Sequence, residues 1–352
     1  MAKVLIVGQG LAGSALSILL RRKNIAFKVV DQNWKSASSL VAAGMWNPIV
    51  YKRITLSWKV PTAINKLFEF FESVDNEFHE KCFHPTPLLK LTSDPNYENT
   101  WDSESAFEPK KNYLGKISQQ KQLLEFQQDK SARWAEVKKA GYVNLPLFLK
   151  QEKERLLAEN RLIEEKFDYE NLHISENYCQ YNNEEYSHVI FAEGWQMHKN
   201  PYFNYLPLNH TQGDVLTFES NLPNQHLLNF GKFLLPLENG RFKIGSTYHW
   251  NKNDEQINDQ SRAELIEKFS ETFNANIKVI KHQAGVRPTV KDRRPLCGQH
   301  PEHKTLFCFN GLGTKGVMVA PYLAENFLEH IFANTSLDQE ADINRYAQLW
   351  KK

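Results

Sequence analysis

Three glycines near the start of the chain, Gly8, Gly10 and Gly13, stand in G-x-G-x-x-G spacing directly after a short apolar run, residues 4–7. A second apolar run, residues 27–30, ends in an acid, Asp31. Each residue type answers a requirement of dinucleotide binding. Gly8 permits a sharp turn without a Cβ clash. Gly10 lacks the side chain that would hold a pyrophosphate away from the backbone, and Gly13 allows the following helix to pack close to the strand. Asp31 accepts hydrogen bonds from ribose hydroxyls and repels a 2′-phosphate. The same turn would also serve a βα unit with no ligand. Against that, the last residue of a buried strand is rarely acidic without a partner, and strand, glycines, helix, strand and acid together are far more specific than glycines alone.

The elements that must position these residues follow from the surrounding pattern. Residues 4–7 are continuously apolar, as in a parallel strand covered on both faces. A helix over residues 11–22 would aim its free N–H groups and positive dipole end at the phosphates. Pro61 suits a first helical turn, and Val60, Ile64, Leu67, Phe68 and Phe71 make one apolar face of a second helix. A further helix is expected over 145–160 with Asn160 at its C-terminal end, then strands over 162–167 and 188–192. Residues 205–250 read differently. Strands at 214–218, 232–237 and 241–246, the last two joined by Glu238-Asn239-Gly240, suggest an antiparallel sheet. An amphipathic helix over 261–273 comes next, then a glycine-rich turn at 311–316 and a final helix over 317–333.

The fold class expected is therefore α/β: a Rossmann-like dinucleotide-binding domain with a discontinuous parallel sheet, plus an inserted α+β substrate domain with a largely antiparallel sheet. The first domain is assigned to residues 1–55, 141–204 and 285–352, the second to 56–140 and 205–284. Ligands of such folds sit at strand carboxyl ends and between domains.

The chain has 352 residues, enough for two cores, and a formal net charge of +2. That balance gives no global field favouring nucleic acid or membrane surfaces. The pairs Lys110-Lys111, Lys138-Lys139 and Lys351-Lys352 read as solvated faces. Four separated cysteines, Cys82, Cys179, Cys297 and Cys308, show no C-x-x-C spacing and read as free thiols in a reducing compartment. No apolar stretch is long enough to span a bilayer as a helix, and the opening segment lacks the features of a signal peptide. A cytoplasmic, non-membrane protein is expected, with no metal site.

Five segments resemble the D-amino-acid-oxidase-like family of FAD-dependent amine oxidoreductases. They are the N-terminal fingerprint; residues 38–48, SSLVAAGMWNP; residues 189–195, VIFAEGW; residues 240–247, GRFKIGST; and Gly285-Val286-Arg287-Pro288-Thr289 followed by Asp292, Pro295, Gly298, residues 310–316, Ala320 and Pro321. The resemblance implies FAD bound along this path. Gly8, Gly10, Leu11, Ala12 and Gly13 would meet the pyrophosphate, with Asp31 and Gln32 at the ribose. Ala43, Gly44 and Met45 would lie along pyrophosphate and flavin, Ala192, Glu193 and Gly194 near the ribose and pyrophosphate, and Phe167 would be a further cofactor contact. The loop Gly311, Leu312, Gly313, Thr314, Lys315 and Gly316 would face the flavin pyrimidine. Position 31 departs from the family's usual Glu. One branch of the family ties flavin to a cysteine near the segment of Arg287, but Cys297 is offset beyond Asp292, so noncovalent FAD is expected.

The reaction the resemblance implies is oxidation of the C–N bond of a small amine or amino acid by hydride transfer to flavin N5, with O2 as the electron acceptor. Alternatives are a dehydrogenase passing electrons to a quinone or carrier, a flavoenzyme removing a carboxymethyl-aminomethyl group from tRNA, and a flavin-binding module without turnover. Nucleic acid is not the expected partner. In the family the arginine matching Arg287 grips a substrate carboxylate, for which a bidentate, permanently charged fork is suited; a structural ion pair with Asp292 is the alternative. Lys315 would add to the field at the flavin, meet a substrate carboxylate, or face solvent. Lys243, like a family lysine near N5, would assist O2, or be an exposed strand lysine. Tyr248 and His249 are substrate contacts or packing residues. Trp46 and Tyr51 are flavin walls or aromatic core.

Overall fold

The computed structural model describes residues 3–33, 37–250 and 254–350. Its first layer is a six-stranded sheet in the order Leu162–Ile163, Ala26–Val30, Lys3–Val7, His188–Phe191, Leu306–Asn310, Leu296–Gln299. The first five strands are parallel and the last is antiparallel. Val4, Leu5 and Ile6 are fully buried, which is why the opening run carries no polar alternation. Helix Leu11–Arg22 packs on this sheet beside helices Leu145–Ala158 and Gly316–Ala333. Ser17 and Arg21 of the first reach the fully buried Glu152 of the second: the Ser17 hydroxyl donates to Oε1 at 2.7 Å, and Arg21 Nη2 lies 3.1 Å from the same oxygen.

The second layer is a nine-stranded, mainly antiparallel sheet. Its central strand, Leu208–Glu219, pairs with Arg241–Gly245, His249–Trp250 and the long strand Lys278–Val290. Phe233–Pro236, Leu227–Asn229, Leu88–Thr92, Arg133–Val137 and Leu114–Ser118 extend it on one side. The hairpin between 236 and 241 turns through Asn239 (φ +59°) and Gly240 (φ +67°), both left-handed, as a tight hairpin requires.

The expected helices are present at Val60–Glu77, Leu145–Ala158, Asp259–Thr272 and Gly316–Ala333. In the first, Val60, Ile64, Leu67 and Phe71 are buried and Phe68 is partly so. Asn144 caps the second by accepting from the Leu147 N–H, and Asn160, two residues past its end, adopts φ +54°. The strand expected over 162–167 stops at Ile163. Strand Lys278–Val290 runs unbroken through position 285, so Arg287 belongs to the antiparallel sheet rather than to the dinucleotide layer. One core cluster joins residues of both layers, from Val4 and Leu16 to Leu88 and Leu227. Lys110 and Lys111 are matched by Glu104 and Glu108; the Lys351-Lys352 pair lies outside the described residues. Among the described residues no helix is long and apolar enough to cross a membrane, and no cluster of His, Cys, Asp or Glu is arranged to hold a metal ion.

Candidate active site

A long cleft lies where the carboxyl ends of the parallel strands face the antiparallel sheet. One end is built by the glycine turn. Gly8 has φ +104°, and a Cβ there would fall 2.6 Å from the Ala192 carbonyl oxygen of the neighbouring strand. A Cβ at Gly13 would fall 1.8 Å from the Gly8 oxygen, so that position is closed by the fold itself. Gly10 is different. A Cβ there would meet only Ser39 Oγ, at 3.4 Å, and the rest of its surroundings is cleft. Space, not packing, demands the glycine at 10.

Two helices begin at this cleft. Helix Leu11–Arg22 starts at Gly10 and helix Gly316–Ala333 at Lys315; neither has a side-chain N-cap or an acid in its first turn. Their positive dipole ends are therefore uncompensated toward the cavity, an arrangement suited to an anionic ligand. Ser39 accepts from the Leu11 N–H at 3.2 Å. Asp31 accepts from the Gln9 N–H at 2.8 Å and the Asn33 N–H at 2.6 Å, which fixes its carboxylate at the cleft wall with lone pairs to spare for hydroxyls. Glu193 follows strand His188–Phe191 and lines the same stretch. Its carboxyl accepts from Tyr169 Oη and, at 2.8 Å, from Asn200 Nδ2, with no cation in contact among the described residues. Burial pushes its pKa up to about 7.

The other end is walled by the antiparallel sheet, with Arg287 at its centre. The guanidinium donates from Nη2 to Ser246 Oγ at 2.5 Å and from Nη1 to the Thr211 carbonyl at 3.4 Å, and it packs on the Tyr248 ring at 4.7 Å. Among the described residues no carboxylate lies within ion-pair distance of it. The alternative partner, Asp292, bonds Arg345 at 2.9 Å instead. Burial pulls the Arg287 pKa below its ordinary range, partly opposed by Tyr248 and then by Asp214. Val215, Phe233 and Pro288 supply apolar wall.

Of the positions singled out in the sequence, Gly8, Gly10, Leu11, Ala12, Asp31, Ala43, Gly44, Met45, Ala192, Glu193 and Gly194 line the cleft, as do Leu312, Gly313, Thr314, Gly316, Tyr248 and Arg287. Others do not. Gln32 is an exposed residue just past the strand end. Phe167 is core, stacked on Tyr181 at 4.6 Å. Gly13 and Gly311 shape turns behind the wall; a Cβ at Gly311, which has φ +70°, would fall 2.7 Å from Val290 Cγ2. His249 turns to α-helical Ser261, its Nε2 2.6 Å from Oγ. Lys315 is not solvent-facing: its amine donates to the Asn47 carbonyl at 2.8 Å and to Oδ1 at 3.1 Å, and burial pulls its pKa down to about 8. Lys243 is not exposed either. It shares the cleft face of the sheet with Val215 and Gly245, and its amine donates to the carbonyls of Val41 (3.2 Å) and Ala42 (3.3 Å), both lining residues. Burial, reinforced by Lys281, lowers its pKa to about 8. Trp46 is fully packed against Phe83, and Tyr51 packs on the core beside Lys90. All four cysteines are buried and none lines the cleft.

Gly213, Phe233 and Gln196 also line the cleft, beyond the positions expected from the sequence. Gly213 had a legible signal, a lone glycine within a strand, which marks a close approach. A Cβ there would fall 2.1 Å from Arg287 Nη2. Phe233 and Gln196 had none, because an aromatic in a strand and a glutamine in a loop are ordinary.

The glycine cradle, the two uncapped helix starts and the ribose-side acid fit a dinucleotide carrying negative phosphates. Comparison with known proteins agrees. Residues 3–329 match the family model described as "FAD dependent oxidoreductase". The chain is 26% identical over 137 residues to the tRNA 5-methylaminomethyl-2-thiouridine biosynthesis bifunctional protein MnmC of Acinetobacter baylyi, covering 36% of this chain and 22% of that protein. It is 28% identical over 148 residues to glycine oxidase of Bacillus subtilis, covering 38% of each. These matches span well under half of either relative. In fold it is similar to glycine oxidase from Bacillus cereus, with a TM-score of 0.79, 16% identity and 96% of both chains covered. It is also similar to L-proline dehydrogenase from P. horikoshii, with a TM-score of 0.78, 15% identity, and 99% and 98% covered.

Proposed function

Because this chain belongs to the family of FAD-dependent oxidoreductases, we propose that it oxidises the C–N bond of a small amino acid whose carboxylate is held by Arg287. The observation that carries this reading is the state of Arg287: a cleft-lining guanidinium with no anionic partner among the described residues. A buried charge left unpaired is costly. Arg287 keeps three of its five N–H donors beyond the two already engaged, enough to take a carboxylate bidentately.

FAD, when bound, supplies the hydride acceptor. The chain's own residues bind and orient. Gly10, Ser39 and the first turn of helix Leu11–Arg22 would hold the pyrophosphate, and Asp31 the ribose. The start of helix Gly316–Ala333 turns a positive dipole end to the cleft, which would favour negative charge on a reduced flavin held there. Arg287 fixes one end of the substrate, so the carbon beside the nitrogen is presented in one orientation; such fixation is where much of the rate gain of an intramolecular-like step arises. Val215, Phe233 and Pro288, which line the cleft near Arg287, would give the reacting carbon an apolar wall. With FAD bound, the substrate's free amine would lose a hydride from that carbon to the flavin and a proton from nitrogen to water, giving an imine that water hydrolyses to a carbonyl product and an amine or ammonia.

O2 is the proposed electron acceptor, with Lys243 the residue that favours its reduction, and FAD is held noncovalently, since no cysteine reaches the cleft. The similarity to enzymes named as oxidases and as a dehydrogenase keeps the acceptor a matter for one measurement: peroxide release in air, whose absence during turnover would assign a carrier instead. The reading as a whole is tested by mixing the purified protein anaerobically with D- and L-amino acids, glycine, sarcosine and proline. Loss of flavin absorbance with at least one of them is expected. No reduction by any, with FAD bound, would overturn it.

A further inference from the structure

We propose that Tyr248 is the positioning residue for Arg287, its ring holding the guanidinium in the plane that receives a substrate carboxylate. The inference rests on the reading of Arg287 given above and adds to it the group that orients the fork.

A carboxylate would orient a cleft arginine through paired hydrogen bonds, and among the described residues none is in contact with Arg287. The guanidinium lies directly against the strand backbone at Gly213, where a Cβ would fall 2.1 Å from Nη2, 2.5 Å from Nη1 and 2.6 Å from Cζ. Ser246 takes Nη2 at 2.5 Å, and the 3.4 Å bond to Thr211 is weak. One short bond to a hydroxyl fixes one corner of a flat group and the Gly213 backbone closes one side, which leaves it free to swing away from that side. The Tyr248 ring, 4.7 Å from Cζ, removes that freedom.

The local sequence explains why these two residues act together. Ser246 and Tyr248, two apart just past strand Arg241–Gly245, both meet the Arg287 guanidinium. Thr247 between them points the other way, where its hydroxyl accepts from the Asp214 N–H at 2.9 Å. Tyr248 is 53% exposed, so burial does not dictate an aromatic there. Among the described residues its one ring contact is Arg287. A half-exposed tyrosine at the cleft mouth, stacked on the anion-seeking group inside, is accounted for by that contact. A guanidinium over an aromatic face keeps its edge N–H groups available, whereas an acid would consume them.

The test uses the FAD-loaded enzyme, titrated with acetate and with its neutral counterpart acetamide, each followed through the flavin absorption band. Tyr248→Ala is expected to weaken acetate binding by roughly 3-fold to 30-fold, the range of a stacked cation, and to leave acetamide unchanged. Tyr248→Phe, which keeps the ring face, is expected to bind acetate as the wild type does. In turnover the Ala variant raises KM for the best amino-acid substrate more than it lowers kcat. Unchanged acetate affinity in Tyr248→Ala, equal losses in the Phe and Ala variants, or an equal loss of acetamide would overturn the inference. Arg287→Ala run in parallel separates the two claims. If it loses acetate while Tyr248→Ala does not, only the role of Tyr248 falls. If it keeps acetate, or the wild type shows no acetate response, the carboxylate anchor falls as well.

Discussion

Glu193 places a carboxyl group in the wall of the cleft, with hydrogen-bond donors but, among the described residues, no cation against it. Its folded pKa of about 7 stands above the ordinary 4.5 because burial disfavours the charge. The folded protein thus holds a proton that the unfolded chain releases, and stability falls as pH rises through that interval. Glu193→Gln removes the titration. Between pH 4.5 and about 7 the wild type is expected to lose thermal stability relative to the Gln variant, with a constant difference at higher pH. Melting curves of the two apo-proteins across this range check it, and curves that stay parallel would show that the proton is not held. Lys243 gives the opposite electrostatic case. Its amine is a cation only below about pH 8. If that charge favours O2 reduction, the wild-type rate of flavin reoxidation falls as pH rises through about 8. Lys243→Met slows reoxidation more than reduction and loses that pH dependence. Stopped-flow measurement of both half-reactions decides, and equal slowing of both would remove Lys243 from the oxidative step.

At the scale of elements, the strand-turn-helix unit separates two kinds of glycine that look alike in the motif. Gly10 opens onto the cleft, while Gly13 is closed by the Gly8 carbonyl at 1.8 Å from a would-be Cβ. Gly10→Val is therefore expected to fold, with a circular-dichroism melt near that of the wild-type apo-protein, yet to retain no FAD. Gly13→Ala is expected to lose about 1–3 kcal/mol or more of stability, as overpacking does, whatever its flavin content. A stable Gly13→Ala, or a yellow Gly10→Val, would mean that the turn is misread. Periodicity and punctuation made these elements legible. Continuous apolar strands, an N-terminal proline and a glycine turn before each cleft-facing helix all encode local structure. What stayed hidden was the approach of distant side chains. Nothing local tells Lys315 to reach Asn47, or Asp292 to choose Arg345 over Arg287. Phe167 likewise looks like a ligand contact next to a strand, but becomes core once Tyr181 and Phe191 close around it.

Across the whole molecule, the cleft is a seam rather than a pocket within one layer. Its walls come from the parallel sheet at Gly8, Asp31 and Ala192, and from the antiparallel sheet at Gly213, Val215 and Arg287. The layers also share one core, from Val4 to Leu227. The assignment of pieces to two domains proposed from the sequence is crossed by strand Lys278–Val290, which starts in the inserted piece and ends beside the dinucleotide layer. A ligand lying along such a seam binds only when both walls are in place, so its binding free energy stabilises both. For one site, that gain is about 2.7 kcal/mol at a free ligand concentration 100 times Kd. Calorimetry of apo-protein and of protein with excess FAD is therefore expected to show one unfolding transition in each, the second at higher temperature, with the shift growing with the logarithm of FAD concentration. Two transitions of which only one moves would mean that FAD rests on the parallel layer alone and that the antiparallel sheet, Arg287 with it, folds and melts without regard to the cofactor.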